Sequence, residues 1–326
     1  SPGWGGSGGR EAIKVSFRIM GSFSSCLQTL ENERALVLTV VHVAPVDKEN
    51  TGAISTGYAV GDKVVLAALQ TVRGLEPLTW RYKERVRKEW PATYKFQVSR
   101  RSWASSAVSG GRTQRCLVQI ASSPDQRTQE NCQIDVADAS DVATYAHRFN
   151  VHQRQASDDR VPSVTVCVPV VCQVTESDLP AIIPTGTHCT VAACPLMDRD
   201  TIVTKFVTDG CDDYQEVPQA FFHYAAFSSG GKEFACDLQG LVDDNSDNVI
   251  LLDPVMLRAS MPLAEIVSGA VLPTKSQPKG KSFKGPSQHC FNELHPHCGD
   301  MCRSFDPQRR TATNRLGMCG IPTCGL

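Results

Sequence analysis

Short runs of apolar and β-branched residues recur along the whole chain, separated by polar segments that contain Gly, Ser, Asn or Asp. Such runs are typical of β-strands. They lie at residues 12–20, 35–43, 63–69, 94–99, 115–121, 163–174, 188–194, 201–207, 233–238 and 249–253. One segment differs, because the apolar residues of IDVADASDVATYAHRF (134–149) recur at helical spacing and predict a helix. Many strands with few helices predict an α+β fold with mainly antiparallel sheets.

Size and charge limit the classes of partner. The chain has 326 residues, of which 41% are hydrophobic, enough for one large globular domain or two smaller ones. Its 33 Lys and Arg nearly balance 34 Asp and Glu, so no overall field attracts nucleic acid or an anionic membrane. The longest apolar stretch, residues 35–46, is shorter than the roughly 20 residues that a bilayer crossing needs. Without a signal-peptide pattern at residues 1–11, we predict a soluble, cytoplasmic protein.

Near the C-terminus, cysteine and histidine residues cluster at spacings typical of a zinc site. Cys298 and Cys302 are four residues apart, and His295 and His297 lie just before them. This spacing supplies three or four local ligands, so a further ligand could come from a distant element. The alternatives are a disulfide or buried thiols without metal. Most of the other cysteines lie in apolar runs, and we interpret them as small core residues.

A second group of polar residues lies at the ends of two strand-like runs between residues 233 and 254. Asp237 and Gln239 share a face if the first run continues as a strand, and Asp253 follows the second run. Oxygen ligands of this kind hold a divalent cation against phosphate, and a neighbouring carboxylate can accept a proton from an attacking hydroxyl. Because Asp is common at strand ends, a purely structural role is the alternative.

The same part of the chain resembles the alpha-type (atypical) protein kinases, which include myosin heavy chain kinases, elongation-factor kinases and channel-fused kinases. QAFFHYAAFSSGG (219–231), DLQG (237–240) and LLDP (251–254) follow the order of the family's QAFSHFTYEHSGG, DLQG and L-T-D-P. TIVTKFVTDG (201–210) is similar to a segment that carries a phosphate-contacting lysine, and HPHCGDMCRSF (295–305) to the family's zinc closure. The resemblance covers about residues 92–306.

The resemblance implies a two-lobed, atypical protein-kinase-like α+β fold with a zinc-stapled C-terminal segment. The N-lobe would span about residues 92–190 and the C-lobe about 191–306. Residues 1–91 would form an N-terminal extension or a small subdomain, and residues 307–326 a C-terminal tail.

The resemblance also implies an activity, transfer of the ATP γ-phosphate to a Ser or Thr hydroxyl of a protein substrate, with ATP, Mg²⁺ and Zn²⁺ as cofactors. Asp237 would act as general base. The residues that would bind nucleotide or its Mg²⁺ are Lys205, Gln239, Asp253, Arg112 and Gly285. The residues that would bind zinc are His223, Cys298, Cys302 and one of His295 and His297.

Several family positions differ in this chain, and two of them concern ATP directly. The family carries a V-A-K lysine on an N-lobe strand, but the matching run LVQIASS (117–123) has no lysine. Cys194 stands where the family has a hinge glutamate. The alternative function is therefore a pseudokinase that keeps the zinc-stapled fold and serves as an interaction module.

Overall fold

The computed structural model of the protein describes residues 41–46, 58, 60–75, 100–156, 161–198, 200–207, 215–229, 233–258, 295 and 298–306. The strands predicted at 12–20 and 94–99, Gly285, His297 and the C-terminal tail lie outside these ranges.

The described residues form twelve strands and three α-helices. The strands are β1 (Val41–Pro45), β2 (Val64–Thr71), β3 (Arg100–Ser109), β4 (Arg112–Ala121), β5 (Val164–Val166), β6 (Val170–Ser177), β7 (His188–Ala193), β8 (Thr204–Lys205), β9 (Glu233–Cys236), β10 (Gln239–Asp243), β11 (Asn248–Leu251) and β12 (Val255–Arg258). The helices are α1 (Gln129–Ala156), α2 (Glu216–Ser228) and α3 (Asp300–Phe305).

Six strands close into an antiparallel barrel in the order β1-β2-β3-β4-β7-β6. Alternate residues of each strand point inward, and those of β4 illustrate the pattern. Val118 and Ile120 pack inside the barrel with Leu66 and Trp103. Leu117 faces the other way and packs against Leu252 from outside the barrel. The outer face of β4 therefore forms part of the junction with the rest of the chain.

Two of the predicted domain boundaries do not coincide with structural boundaries. β1 and β2 come from residues 1–91, yet β2 pairs with β3 and β1 pairs with β6, so both strands are part of the barrel. β7 spans the predicted lobe boundary at residues 190 and 191 and pairs with β4 and β6. Strand pairing between segments distant in sequence sets these boundaries, and local composition does not reveal it.

The remaining elements form a second layer around a four-stranded sheet in the order β5-β11-β10-β8 and a two-stranded β9-β12 pair. Among the strands of the described residues, every pair is antiparallel except β5-β11, which is parallel. Phe149 of α1 and Phe221 of α2 are fully buried in the core of this layer. Within the described part of the chain, no helix has both the length and the apolar character needed to cross a bilayer.

Several predicted elements differ in extent. The predicted strand 163–174 is divided into β5 and β6, which belong to different sheets, because Pro169 between them has no N–H to continue a ladder. The strand predicted at 201–207 is only the two residues of β8. The predicted helix 134–149 is longer at both ends, as α1. Helix α2 was not predicted, because it is buried on nearly all sides and lacks an amphipathic pattern.

Candidate active site and metal centre

Lys205, Gln239 and Asp253 meet at one end of the four-stranded sheet. Lys205 ends β8 and lies directly opposite Gln239, the first residue of β10. The Leu252 N–H donates to the carbonyl of Gln239 at 2.8 Å, so Asp253 follows immediately on the other side of β10. The antiparallel pairing of β10 with both neighbours therefore places all three residues together, although 48 positions separate the first from the last in the sequence.

Asp237 lies in the short turn that leads into β10. Its side chain is buried, and Nε2 of Gln239 donates to its Oδ2 at 3.3 Å. The Phe206 N–H donates to the carbonyl of Leu238 at 2.8 Å and fixes the turn against the residues that follow β8. Asp237 and Gln239 are neighbours as predicted, but the reason differs, since β9 ends at Cys236 and the two residues do not share one continuous strand.

Both aspartates of this group have left-handed backbone conformations. Asp237 has a φ of 53° and Asp253 a φ of 50°. Such a conformation costs a non-glycine residue about 1–3 kcal/mol, and it persists where the surrounding structure fixes the backbone. Strained residues of this kind cluster at active sites and ligand clamps. Asp247 has a similar φ of 55° in an exposed turn, so it is the position of Asp237 and Asp253 at the sheet end, and not the backbone conformation alone, that makes them candidate functional groups.

Gly240 has no room for a side chain. A Cβ at this position would lie 1.8 Å from the carbonyl oxygen of Ile250 on the adjacent strand β11. The close approach of β10 and β11 holds Asp253 beside Gln239, so the glycine that ends the DLQG sequence is required for the geometry of the site.

Arg100, at the start of β3, brings a positive charge to Asp253. Its Nη1 lies 3.6 Å from Oδ1 of Asp253, and its Nη2 forms an ion pair with Oδ2 of Asp135 on α1. Asp135 is 4% exposed and the Arg100 side chain 12% exposed, so water screens these charges weakly. No motif in the sequence distinguishes either residue. The sequence does contain two consecutive arginines, Arg100 and Arg101, at the start of a strand. Successive side chains of a strand point to opposite faces, so only one of the two can point toward the site.

Four candidate metal ligands come together where α3 packs against α2. The ligand atoms of His223, His295, Cys298 and Cys302 all lie within 4.8 Å of one another. His223 belongs to α2 and is 75 residues from Cys298, so the predicted distant ligand reaches the local cluster. His297 lies outside the described residues. The structure thus brings together four of the five predicted ligands.

The spacing of these atoms fits a zinc ion. Sγ of Cys298 lies 3.6 Å from Nδ1 of His223 and 3.5 Å from Nε2 of His295, and Sγ of Cys302 lies 3.6 Å from Nε2 of His295. Tetrahedral zinc with Zn–S bonds of about 2.3 Å and Zn–N bonds of about 2.05 Å places sulfur and nitrogen about 3.6 Å apart. The spacing therefore suits zinc. Cys298 is disulfide-bonded in this structure, so it would be a zinc ligand in its reduced, thiolate form.

The second nitrogen of each histidine has an oxygen partner. Nδ1 of His295 contacts Oε1 of Gln219 at 2.8 Å, and Nε2 of His223 lies 3.5 Å from Oδ2 of Asp306. Such partners fix the ring orientation and tautomer of a metal-binding histidine. Burial raises the pKa of Cys302 to about 12, so its thiol needs a nearby cation to become a thiolate at neutral pH.

Comparison with known proteins identifies the family. The sequence profile of the alpha-kinase family matches residues 95–265. The chain belongs to the alpha-kinase family. No curated protein sequence matches the chain.

Solved structures of alpha-kinase domains are similar to this chain at low sequence identity. The alpha-kinase domain of myosin-II heavy chain kinase A in complex with AMP-PNP has a TM-score of 0.45 and 12% identity, over 82% of this chain and 95% of that chain. The ADP complex of myosin heavy chain kinase A has a TM-score of 0.43 and 12% identity over the same shares. The adenosine complex has a TM-score of 0.44 and 11% identity, over 82% and 93%.

The structure of this alpha-kinase does not bring Arg112 to the carboxylates. Arg112 is exposed at the tip of the β3-β4 hairpin, next to Gly110 and Gly111, whose positive φ angles make the tight turn. Arg100 lies at the other end of β3, about 30 Å of strand away at 3.3 Å per residue. Arg112 is therefore not supported as a residue of this site. Arg115, further along β4, donates to the Met197 carbonyl at 3.0 Å.

Two residues in segments where this alpha-kinase differs from the family are buried. Gln119, in the run that lacks the family lysine, is 5% exposed, and its Nε2 has no hydrogen-bond partner among the described residues. Cys194 is fully buried. A hydrogen bond between Cys167 and Cys194 raises the pKa of Cys167 and lowers that of Cys194. Cys194 thus packs within the junction core that also contains Leu117 and Leu252.

Proposed function

We propose that this alpha-kinase is an ATP- and Mg²⁺-dependent serine/threonine protein kinase that transfers the ATP γ-phosphate to a protein hydroxyl. The observation that carries the proposal is the convergence of Lys205, Gln239 and Asp253 at one sheet end, with Asp237 hydrogen-bonded to Gln239. Phosphoryl transfer needs mainly positioning and charge neutralisation, and this group offers a base, two oxygen ligands and a cation.

Asp237 would accept the proton of the attacking hydroxyl. Its hydrogen bond from Gln239 orients the carboxylate. The Gln239 amide oxygen and the Asp253 carboxylate would hold Mg²⁺, and Lys205 would contact phosphate. When bound, Mg²⁺ would neutralise charge on the β- and γ-phosphates.

The metal centre would have a structural role. A zinc ion bound by His223, His295, Cys298 and Cys302 would hold α3 against α2. Nearby contacts have the same effect, since Oε1 of Glu216 accepts from the Met301 N–H at 3.2 Å. The zinc-stapled closure implied by the resemblance is thus part of the proposal.

The test combines nucleotide binding with phosphate transfer. Wild-type protein is titrated with ATP and Mg²⁺, and transfer of labelled γ-phosphate to a generic basic protein is then measured. The Asp237→Asn variant should bind nucleotide and lose transfer, because Asn tolerates the left-handed backbone but is a poor base. Asp247→Asn is the matched control, since Asp247 has a φ of 55° in an exposed turn.

Three outcomes separate the candidate functions. Binding with transfer that Asp237→Asn abolishes and Asp247→Asn preserves supports the kinase. Binding without transfer by the folded wild type supports the pseudokinase, which the missing lysine in residues 117–123 favours. A folded, zinc-loaded wild type with neither binding nor transfer contradicts the kinase.

A further inference from the structure

One feature of the junction between the barrel and the sheet concerns Arg100 and Gln119, which lie on the same face of two paired strands. Arg100 of β3 lies opposite Ala121 of β4, and Gln119 is two residues from Ala121. Directly opposite residues and those two positions away point to the same face. Leu117 also lies on this face and packs against Leu252, the residue before Asp253. Arg100 and Gln119 therefore both face the candidate active site.

The two side chains lie within reach of one another. Diagonal neighbours of an antiparallel pair have Cα atoms about 7–8 Å apart, a distance that a long side chain spans. Gln119 stands in the run that resembles the family's V-A-K strand and is neutral. Arg100 supplies a positive charge one strand away on the same face.

The contact between Arg100 and Asp253 places that charge where nucleotide phosphate would lie. A carboxylate oxygen and a phosphate oxygen bound to the same Mg²⁺ at about 2.1 Å are about 3 Å apart. Because Nη1 of Arg100 lies 3.6 Å from Oδ1 of Asp253, it is within reach of a phosphate that shares a metal with Asp253. The planar guanidinium has five N–H donors, enough to contact Asp135 and a phosphate together.

We propose that Arg100 binds the nucleotide phosphates in this alpha-kinase and supplies the cation that position 119 lacks. Asp135 is its positioning residue, because the ion pair with this buried carboxylate orients the guanidinium toward Asp253. The inference rests on the proposed function, since it requires that ATP bind beside Asp253.

The decisive variant is Arg100→Gln, tested by titration with Mg²⁺-ADP and, separately, with adenosine, which has no phosphate. A charge-assisted hydrogen bond to phosphate predicts a loss of ADP affinity of about 10- to 100-fold with adenosine affinity unchanged. Arg101→Gln is the matched control, because Arg101 is exposed and lies opposite Ile120, on the barrel-interior face. It should leave both affinities unchanged.

A second variant tests whether a positive charge at residue 119 can replace the charge of Arg100. Adding Gln119→Lys to Arg100→Gln should recover most of the ADP affinity, because a lysine at residue 119 would place an ammonium on the same face. Asp135→Asn should weaken ADP binding less than Arg100→Gln and leave adenosine binding unchanged, a difference that a general loss of folding would not produce. Arg100→Lys, which keeps the charge, should retain more ADP affinity than Arg100→Gln and serves if the latter does not fold.

The outcomes distinguish this inference from the proposed function. If the wild type binds ADP and Arg100→Gln binds it equally well, the inference is wrong and the proposed function stands. An equal loss of ADP and adenosine affinity would also overturn it, since it would reflect damage to the pocket. So would a gain in ADP affinity, which would mean that Arg100 competes with Mg²⁺ for Asp253. A folded wild type that binds neither ligand contradicts both proposals.

Discussion

Gln239 donates a hydrogen bond to Asp237 across 3.3 Å, and both side chains are buried. The amide is neutral, so it orients the carboxylate without changing the charge of the pair. Within the proposed function, this contact holds the Asp237 carboxylate in place to act as a base.

Gln239→Glu should raise the pKa of Asp237, because it places a second carboxylate beside the first in a buried position. The acidic limb of the pH–rate profile for phosphate transfer should move to higher pH, since transfer requires the ionised base and a higher pKa delays ionisation as pH rises. The measurement is the transfer rate between about pH 4 and 9, a range that begins at the ordinary carboxyl pKa of about 4. Asn245→Asp, the same chemical change in the exposed β10-β11 turn, should leave the profile in place. An unshifted profile for Gln239→Glu would argue against Asp237 as the base.

Gly240→Ala should destabilise the protein by about 3 kcal/mol or more, since the added Cβ overlaps the Ile250 backbone and no side-chain movement relieves it. Gly111→Ala is the comparison, because Gly111 has open space around it and a φ of 76°. That variant should cost only about 1–2 kcal/mol, from backbone strain alone. Urea unfolding measures both. Equal losses would mean that β10 and β11 can separate at Gly240 without penalty.

The sequence predicts those parts of the structure whose pattern lies within one short segment of the chain. Strands such as β2 and β7 were predicted close to their observed ends, because each carries its own β-branched pattern. The grouping of Lys205, Gln239 and Asp253 was inferred from the family resemblance. Composition alone does not indicate which strands pair.

The features that were missed depend on contacts between distant segments. Arg100 reaches Asp135 and Asp253 only through the register of β3 with β4, and no local pattern in SRRSW distinguishes it from Arg101. β1 and β2 belong to the barrel because β2 pairs with β3 and β1 pairs with β6. β6 is more than a hundred residues from β1 in the sequence. Arg112 was proposed as a phosphate contact for its position after two glycines, but those glycines form a hairpin tip remote from the carboxylates.

The metal centre predicts about one zinc ion per chain. Cys302→Ser should lose the ion and lower the thermal midpoint, because structural zinc contributes directly to folding free energy. Cys236→Ser is the matched control, since Cys236 is also a buried free thiol but lies in β9, outside the metal cluster. Metal analysis and thermal unfolding of the purified proteins, with and without chelator, provide the measurement. A stable wild type that contains no zinc would contradict the proposed role.

His295 and His297 flank Pro296, and the family pattern alone did not decide which one binds zinc. Nε2 of His295 lies 3.5–3.6 Å from both cysteine sulfurs, while its Nδ1 contacts Gln219. His295→Ala should therefore lose zinc, and His297→Ala should keep about one ion per chain, with the thermal midpoint following the metal content in each case. Retention of zinc by His295→Ala together with its loss in His297→Ala would assign the ligand to the other histidine and overturn the geometry proposed for the centre.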